Sequence, residues 1–369
     1  MPVSPTLAEN LTQATVDAYL EAERSLLVRI ARALARGLSS PAWAEQQLLQ
    51  LQSYRRHAQQ VLAELARTAQ RTVNDAVQTA ANRGTAAAAA ELATVLGRPV
   101  DDLLGALPGQ QAVQLLVAEA VTKVTSTHAQ ILRASVDGYR QIVAEVTPRV
   151  LLGADTRRDA TQEALDRFAA KGITGFTDVR GRHWDLASYA EMAVRSATAN
   201  AAVEAHSERL ETVGIDLVIV SDAPQECIKC RPWEGKVLSL TGAVAGAIDR
   251  EHATVDGRVV RVHVAGTLAE AKAAGLYHPG CRHSHSAYLP GVTRPPTATA
   301  DPQGDRDRQR LRLLERRVRA AKRLEAVALD EQAAKAARAK VRSAQAAIRQ
   351  HVATSSAKRQ PAREQIGAR

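Results

Sequence analysis

All three cysteines of the chain, Cys227, Cys230 and Cys281, stand in two short polar stretches, "ECIKCRPWEG" and "YHPGCRHSHS". Two residues separate Cys227 from Cys230, a spacing that lets one tight turn present both sulfurs to a metal. His278 and Cys281 repeat the gap, with the turn pair Pro279 and Gly280 between them. Zinc takes four thiolate or imidazole ligands in a tetrahedron. The spacing therefore predicts a structural Zn2+ held by Cys227, Cys230, His278 and Cys281. Asp222, Glu226, His283 and His285 flank this set as partners of its ligands or as substitutes for them. Two other readings of the cysteines stand beside it. One is reduced thiols buried without a metal. The other is a redox Cys-x-x-Cys, which lacks the βαβ setting of thioredoxin-like folds here. His283 and His285 could also be catalytic in a metal-dependent nuclease, but a closed set of three cysteines and one histidine leaves no position for water. The chain has no His-Glu-x-x-His, no Walker phosphate loop and no Gly-x-Ser-x-Gly. Asp249, Glu251 and His252 in "AIDREHATVDG" read as solvated loop residues. No enzyme is expected.

The elements that must position these residues are read from pattern and composition. The chain has 369 residues, 45% apolar but only 3% aromatic. Much of the apolar content is alanine, which forms helix well and buries little area per residue. Long helices with thin cores are expected. Residues 10–36 carry a stripe of Val16, Leu20, Leu27, Ile30 and Leu34. A second helix starts after Ser40-Pro41 and is expected to stop at Gly84, with "TAAAAAELATVLG" a separate short helix. Another runs from about residue 111 to Val146, before Pro148. Seven of the eleven aromatic residues lie in 151–300, where the texture changes. A helix at 155–171 ending at Gly172 and a strand pair around Arg180-Gly181 are expected there. A helix of about 27 residues should follow from Leu186, stopped by Gly214. "IDLVIVS", "GKVLSL" and "DGRVVRVHV" read as strands and "AGTLAEAKAAG" as a short helix.

The expected fold class is mainly α with a small α+β metal-stabilised domain. It divides into an N-terminal helical region, 1–149, a central α+β domain, 150–290, a Pro/Gly linker, 291–305, and a basic helical tail, 306–369. The tail is read as one helix over 306–350 with a stripe of Leu311, Leu314, Val318 and Ala321, followed by a frayed end. No apolar run is long enough to span a membrane and no signal peptide is recognised, so a reducing cytoplasm is the expected compartment.

The formal charge is +10, and residues 301–369 hold 18 Lys/Arg against 8 Asp/Glu, the whole excess. Arg306, Arg308, Arg310, Arg312, Arg316, Arg317, Arg319, Lys322 and Arg323 are the candidate nucleic-acid contacts. With no aromatic residue in the tail, contact would be to phosphates and blind to sequence. A solvated helix or a coiled-coil partner is the other reading of the tail.

The stretch from "WDLASYAEMAVRSATANAAVEAHSERLETVG" through "IDLVIVSDAPQECIKCRPWEGKVLSLTG" to "YHPGCRHS" resembles the minor capsid proteins of tailed bacteriophages, the group related to the Mu F-like head morphogenesis proteins. The residues that carry the likeness are Tyr189 to Met192, Arg195, Ser221, Cys227, Cys230, Glu234-Gly235 and His278-Pro279-x-Cys281-Arg282-His283. It covers about 150–290; the flanking helices fit by layout. The resemblance implies a non-enzymatic virion component inside the head near the portal, meeting portal and capsid proteins; contact with double-stranded DNA is expected through the basic tail, and a homo-oligomer is among the expected partners. Such a component would assist head assembly and DNA packaging or delivery, and lie in the host cytoplasm during assembly. The alternatives are a metal-dependent nuclease and a zinc-stabilised DNA-binding protein.

Overall fold

The computed structural model describes residues 10–97, 99–101, 110–173, 176–177, 183–223, 228–278, 281–296 and 301–367. Its helices are α1 (Gln13–Leu34), α2 (Trp43–Leu96), α3 (Gln110–Thr125), α4 (His128–Leu151), α5 (Arg157–Lys171), α6 (Leu186–Thr212), α7 (Leu268–Ala273), α8 (Pro302–Ala326) and α9 (Glu331–Ala353). The strands are β1 (Phe176–Thr177), β2 (His183–Trp184), β3 (Leu217–Val220), β4 (Val237–Ser239), β5 (Gly246–His252), β6 (Val255–Thr267) and β7 (His285–Ala287). The fold is mainly α with a small mixed sheet, the expected class. Among the described residues no helix is long and apolar enough to cross a membrane.

The chain does not divide into consecutive segments as its composition suggested. One compact unit, here the sheet unit, is Met1–Gln13, Thr72–Val121 and Met192–Arg306. The other, the helical unit, is Ala14–Arg71, Thr122–Glu191 and Asp307–Arg369.

In the sheet unit the strand order is β5-β6-β4-β3-β7. β3 pairs antiparallel with β4 on one side and β7 on the other; β4 pairs parallel with β6. The apolar run of β3 is buried on both faces, as an internal strand should be. Val218 and Val220 pack with Ala88, Ala89 and Leu92 of α2 and Leu210 of α6. Leu217 and Ile219 pack with Val237, Val262 and Val264 on the opposite face. β5 and β7 were not expected from the sequence. "AIDREH" is not a loop but an edge strand paired with β6, and its half-exposed alternation explains why it reads as polar. Gly84 does not end α2. The helix continues through it to Leu96, and a Cβ at this position would stand 2.2 Å from the Ala202 carbonyl oxygen of α6. Glycine is what permits that backbone approach, and the alanines after it continue the helix.

In the helical unit, the expected α1 stripe of Val16, Leu20, Leu27, Ile30 and Leu34 is buried. Trp43 Nε1 donates to the Leu34 carbonyl at 3.0 Å and fixes the turn into α2. The helix expected over 111–146 is two, because Ser126 and Thr127 hydroxyls turn back onto the carbonyls of Lys123 and Val124. α5 is capped by Thr156 and ended by Gly172 at a φ of 74°, and β1 pairs with β2, as expected.

The basic tail is the largest departure. It is two helices, with Asp330 capping α9 by accepting from Ala333 N at 2.9 Å. α8 is packed into the unit along one face rather than appended. Arg323 is 3% exposed and donates to the Ala169 carbonyl at 2.8 Å and to Glu23 and Asp185 at 3.5 and 3.3 Å. Arg319, 5% exposed, reaches Asp185 at 3.2 Å and the Arg363 carbonyl at 2.8 Å. Burial works against the Asp185 carboxylate, yet Arg319 and Arg323 together hold it below its ordinary value. Arg312 and Arg363 both bond Glu191. Nor is the C-terminal stretch frayed through 367, since buried Glu364 accepts from Arg359 at 2.6 Å.

Arg323→Ala strips two buried carboxylates of a partner and is expected to cost about 3–5 kcal/mol of unfolding free energy. Arg317→Ala, on the exposed face of α8, should cost less than about 0.5 kcal/mol. Urea denaturation of the full chain reads both, and equal small losses would make α8 an appended helix after all.

Candidate metal centre

Cys230 closes the turn before a single 3-10 turn, Arg231–Trp233, and is fully buried. Trp233 N donates to the Cys230 carbonyl at 2.9 Å, closing the 3-10 turn. Across the unit, the capping box of α7 fixes the approach to the second stretch: Thr267 Oγ1 accepts from Glu270 N, and Glu270 accepts from Thr267 N. Cys281 N then donates to the His278 carbonyl at 2.8 Å; Pro279 and Gly280, between them, lie outside the described residues. β7 follows in register with β3, with His285 opposite Val220.

These elements bring Cys230 Sγ to 3.5 Å from Cys281 Sγ, and His283 Nδ1 to 3.4 Å from Cys281 Sγ. The three donor atoms lie within 4.8 Å of one another. The sulfurs are too far apart for a disulfide, whose bond is about 2.05 Å. The other ring nitrogen of His283, Nε2, lies 2.6 Å from Glu234 Oε1, and both side chains are 2% exposed. A carboxylate on the far nitrogen is the usual way a ligating imidazole is oriented. The Cys281 thiol is pulled down to about 4, chiefly by its hydrogen bond with Cys230; burial opposes the shift and His283 adds to it. Burial lowers His283, but Cys281 and Glu234 outweigh it and hold the imidazole above its ordinary value. Two sulfurs, one held as thiolate, and an oriented imidazole form a soft donor set that suits zinc.

The grouping differs from the sequence expectation at one ligand. His283, expected as a flanking partner, stands with Cys230 and Cys281; His278 is not in that group among the described residues. It lines a solvent-open cleft beside the cluster, with Arg195, Asn200, Tyr277, Cys281 and His283. Cys227 and Glu226 lie outside the described residues. His285 is not a partner of the cluster. It is buried in a separate network, 3.0 Å from Ser207 Oγ and 2.9 Å from the Tyr277 hydroxyl, with its ring 5.2 Å from His206. Burial keeps it well below its ordinary value and hence neutral. Glu234 was missed as a functional residue, although it stands only four positions after Cys230; its approach to His283 is a contact between two segments 49 positions apart.

The nine basic positions expected to meet nucleic acid divide. Arg312, Arg319 and Arg323 are spent on Glu191, Asp185 and Glu23, and Lys322 donates to Gln365 at 2.7 Å. Arg306, Arg310, Arg316 and Arg317 are exposed and Arg308 half-buried.

Fold and cluster together define a helical scaffold protein carrying a small sheet with a thiolate–imidazole cluster at its edge. A family model described as phage minor capsid protein 2 matches residues 3–353, and the chain belongs to that family: it is a structural component of the phage head. No curated protein and no solved structure matches it.

In the reduced, metal-free chain, alkylation of Cys281 by iodoacetamide should stay fast well below the ordinary thiol range of about 8.5. Peptide mass spectrometry follows the site across pH. Cys230→Ala removes the leading cause and should move the profile upward. Profiles centred in the ordinary range for both proteins would show that the thiolate pair does not form.

Proposed function

We propose that this minor capsid protein acts inside the head at the portal vertex, assisting assembly and DNA packaging or delivery without catalytic turnover. It meets portal and capsid proteins and further copies of itself, and passes through the host cytoplasm during assembly. The observation that carries this reading is the partition of charge. The helical unit has 35 Lys/Arg against 20 Asp/Glu, a net +15; the sheet unit has 14 against 19, a net −5. A strongly cationic part suits contact with packaged duplex phosphates, which is blind to sequence. Of the tail arginines, Arg310, Arg316 and Arg317 are exposed on α8. Lys335, Arg342 and Arg349, seven residues apart, form an exposed stripe on α9.

In the sheet unit the same reading places a structural Zn2+ on Cys230, Cys281 and His283, with Cys227, three residues before Cys230, as the fourth ligand. The low thiol of Cys281 and the Glu234 hold on His283 support it. Such an ion would tie the turn before β4 to the strand end before β7.

Two measurements test this. Elemental analysis of purified chain should give one zinc. Because such sites contribute on the order of 10 kcal/mol to folding, Cys230→Ala should leave the sheet unit protease-sensitive. No metal and unchanged melting after chelation would remove zinc from the account. Mass spectrometry of purified virions should find the chain at a few copies per head, and its absence would overturn the head assignment. Metal-dependent nicking of plasmid DNA by the pure chain, lost in His283→Ala, would overturn the non-enzymatic reading.

A further inference from the structure

The first two helices carry a charge cluster that neither the metal centre nor the tail uses. Arg29, Arg32 and Arg36 fall at i, i+3 and i+7 of α1 and its C-terminal end, so they share one face. That face meets Gln50, Ser53 and Tyr54 of α2 across a solvent-open cleft of about 280 Å³. The cleft is well anchored: Trp43 Nε1 holds the Leu34 carbonyl, and Gln47 Nε2 donates to the Arg36 carbonyl at 3.0 Å. Tyr139 in turn donates to Gln47 at 2.7 Å, so the Arg36 end cannot splay without breaking buried hydrogen bonds.

No carboxylate lines this cleft. Among the described residues none of the three guanidinium groups has an acidic partner, whereas Arg24 one turn earlier pairs with Glu21, and Arg67 on α2 pairs with Glu64. Like charges at these helical spacings repel, so three unpaired arginines converging on one cleft are held there without internal compensation. His57 records the same local field: burial first, and then the Arg29 charge, lower its imidazole. The cleft floor holds a further uncompensated group. Tyr54 is 2% exposed and its hydroxyl has no hydrogen bond of acceptable geometry. Ser135 stands beside it with its own hydroxyl donated to the Leu132 carbonyl.

We propose that Arg29, Arg32 and Arg36, with Gln50 and Ser53, form a binding cleft for backbone phosphates of duplex DNA. Guanidinium groups fit phosphate oxygens with paired N–H donors, and Gln50 and Ser53 add neutral donors on the opposite wall. From Arg29 to Arg36 the helix rises about 10 Å, enough to follow neighbouring phosphates along one strand. The cleft belongs to the unit with the +15 charge. The proposal rests on the reading of that unit as the DNA-facing part and places a defined contact far in sequence from the basic tail.

The test is the salt dependence of duplex binding by the full chain, read by fluorescence anisotropy with a labelled duplex of arbitrary sequence. Each lost phosphate contact lowers the slope of log K against log salt by about 0.9. A triple variant, Arg29→Gln, Arg32→Gln and Arg36→Gln, should therefore bind with a slope shallower by about 2 to 3. It should melt as the parent does, since no carboxylate loses a partner. A second triple variant, Lys335→Gln, Arg342→Gln and Arg349→Gln, reads the tail separately. An unchanged slope in a folded cleft variant overturns the cleft, and if the tail variant flattens the slope the DNA-facing reading survives it. No duplex binding by the parent chain overturns both. Inorganic phosphate is the probe for the other source of this chemistry: heat of binding to it, lost in the cleft variant while the duplex slope is kept, overturns DNA as the ligand. A cleft variant that keeps the slope but fails to enter heads also overturns it, in favour of an acidic protein surface.

Discussion

The approach of Cys230, Cys281 and His283 is the constraint that joins two distant stretches of the chain at one corner of the sheet unit. Their donor atoms lie within 4.8 Å of one another, although the two cysteines stand 51 positions apart. The cluster sits where the turn before β4 meets the strand end before β7, so it joins the two strands that flank β3 at one end. Glu234, held against His283, lies between Cys230 and β4 and extends the same tie. The same corner is packed in apolar contact, with Cys230 buried beside Val218, Val220, Leu238, Leu276 and Ala287 and with Cys281 and Trp233 against that cluster.

The helical unit coheres differently. Alanine buries little, so helices must come close for their contacts to count. Gly84 permits one such approach in the sheet unit, and Gly138 another here, where a Cβ would meet the Phe168 ring at 2.2 Å. The remaining cohesion is ionic. Arg319 and Arg323 of α8 join Asp185, Glu23 and the carbonyls that end α5 in one buried network. Buried ion pairs contribute modestly to net stability but penalise any arrangement that leaves one member alone. That fixes α8 in place and leaves the remaining cations on the surface, where a polyanion can reach them.

Local signals in the sequence were legible. α6 follows its pattern from Leu186 to Thr212, and Gly172 and Gly214 mark helix ends. β3 shows in its run of branched residues. What was not legible depends on partners remote in sequence. Gly84 reads as a stop until Ala202 is seen beside it. Arg319 and Arg323 read as solvated charge until Asp185 and Glu23 are placed against them. His283 reads as a flanking residue because Glu234, which orients it, is 49 positions away. Only the pairing of α1 with α2 gathers Arg29, Arg32 and Arg36 into a cleft.

The central claim is that a metal holds the Cys230, Cys281 and His283 corner together. The most direct measurement is zinc K-edge X-ray absorption on the purified full chain. A sulfur-rich first shell is expected, with Zn–S near about 2.3 Å and one or more Zn–N near about 2.0 Å, and His283→Ala should reduce the nitrogen contribution while the sulfur contribution stays. A chain without zinc, or a shell of oxygen atoms unchanged by that substitution, would contradict it.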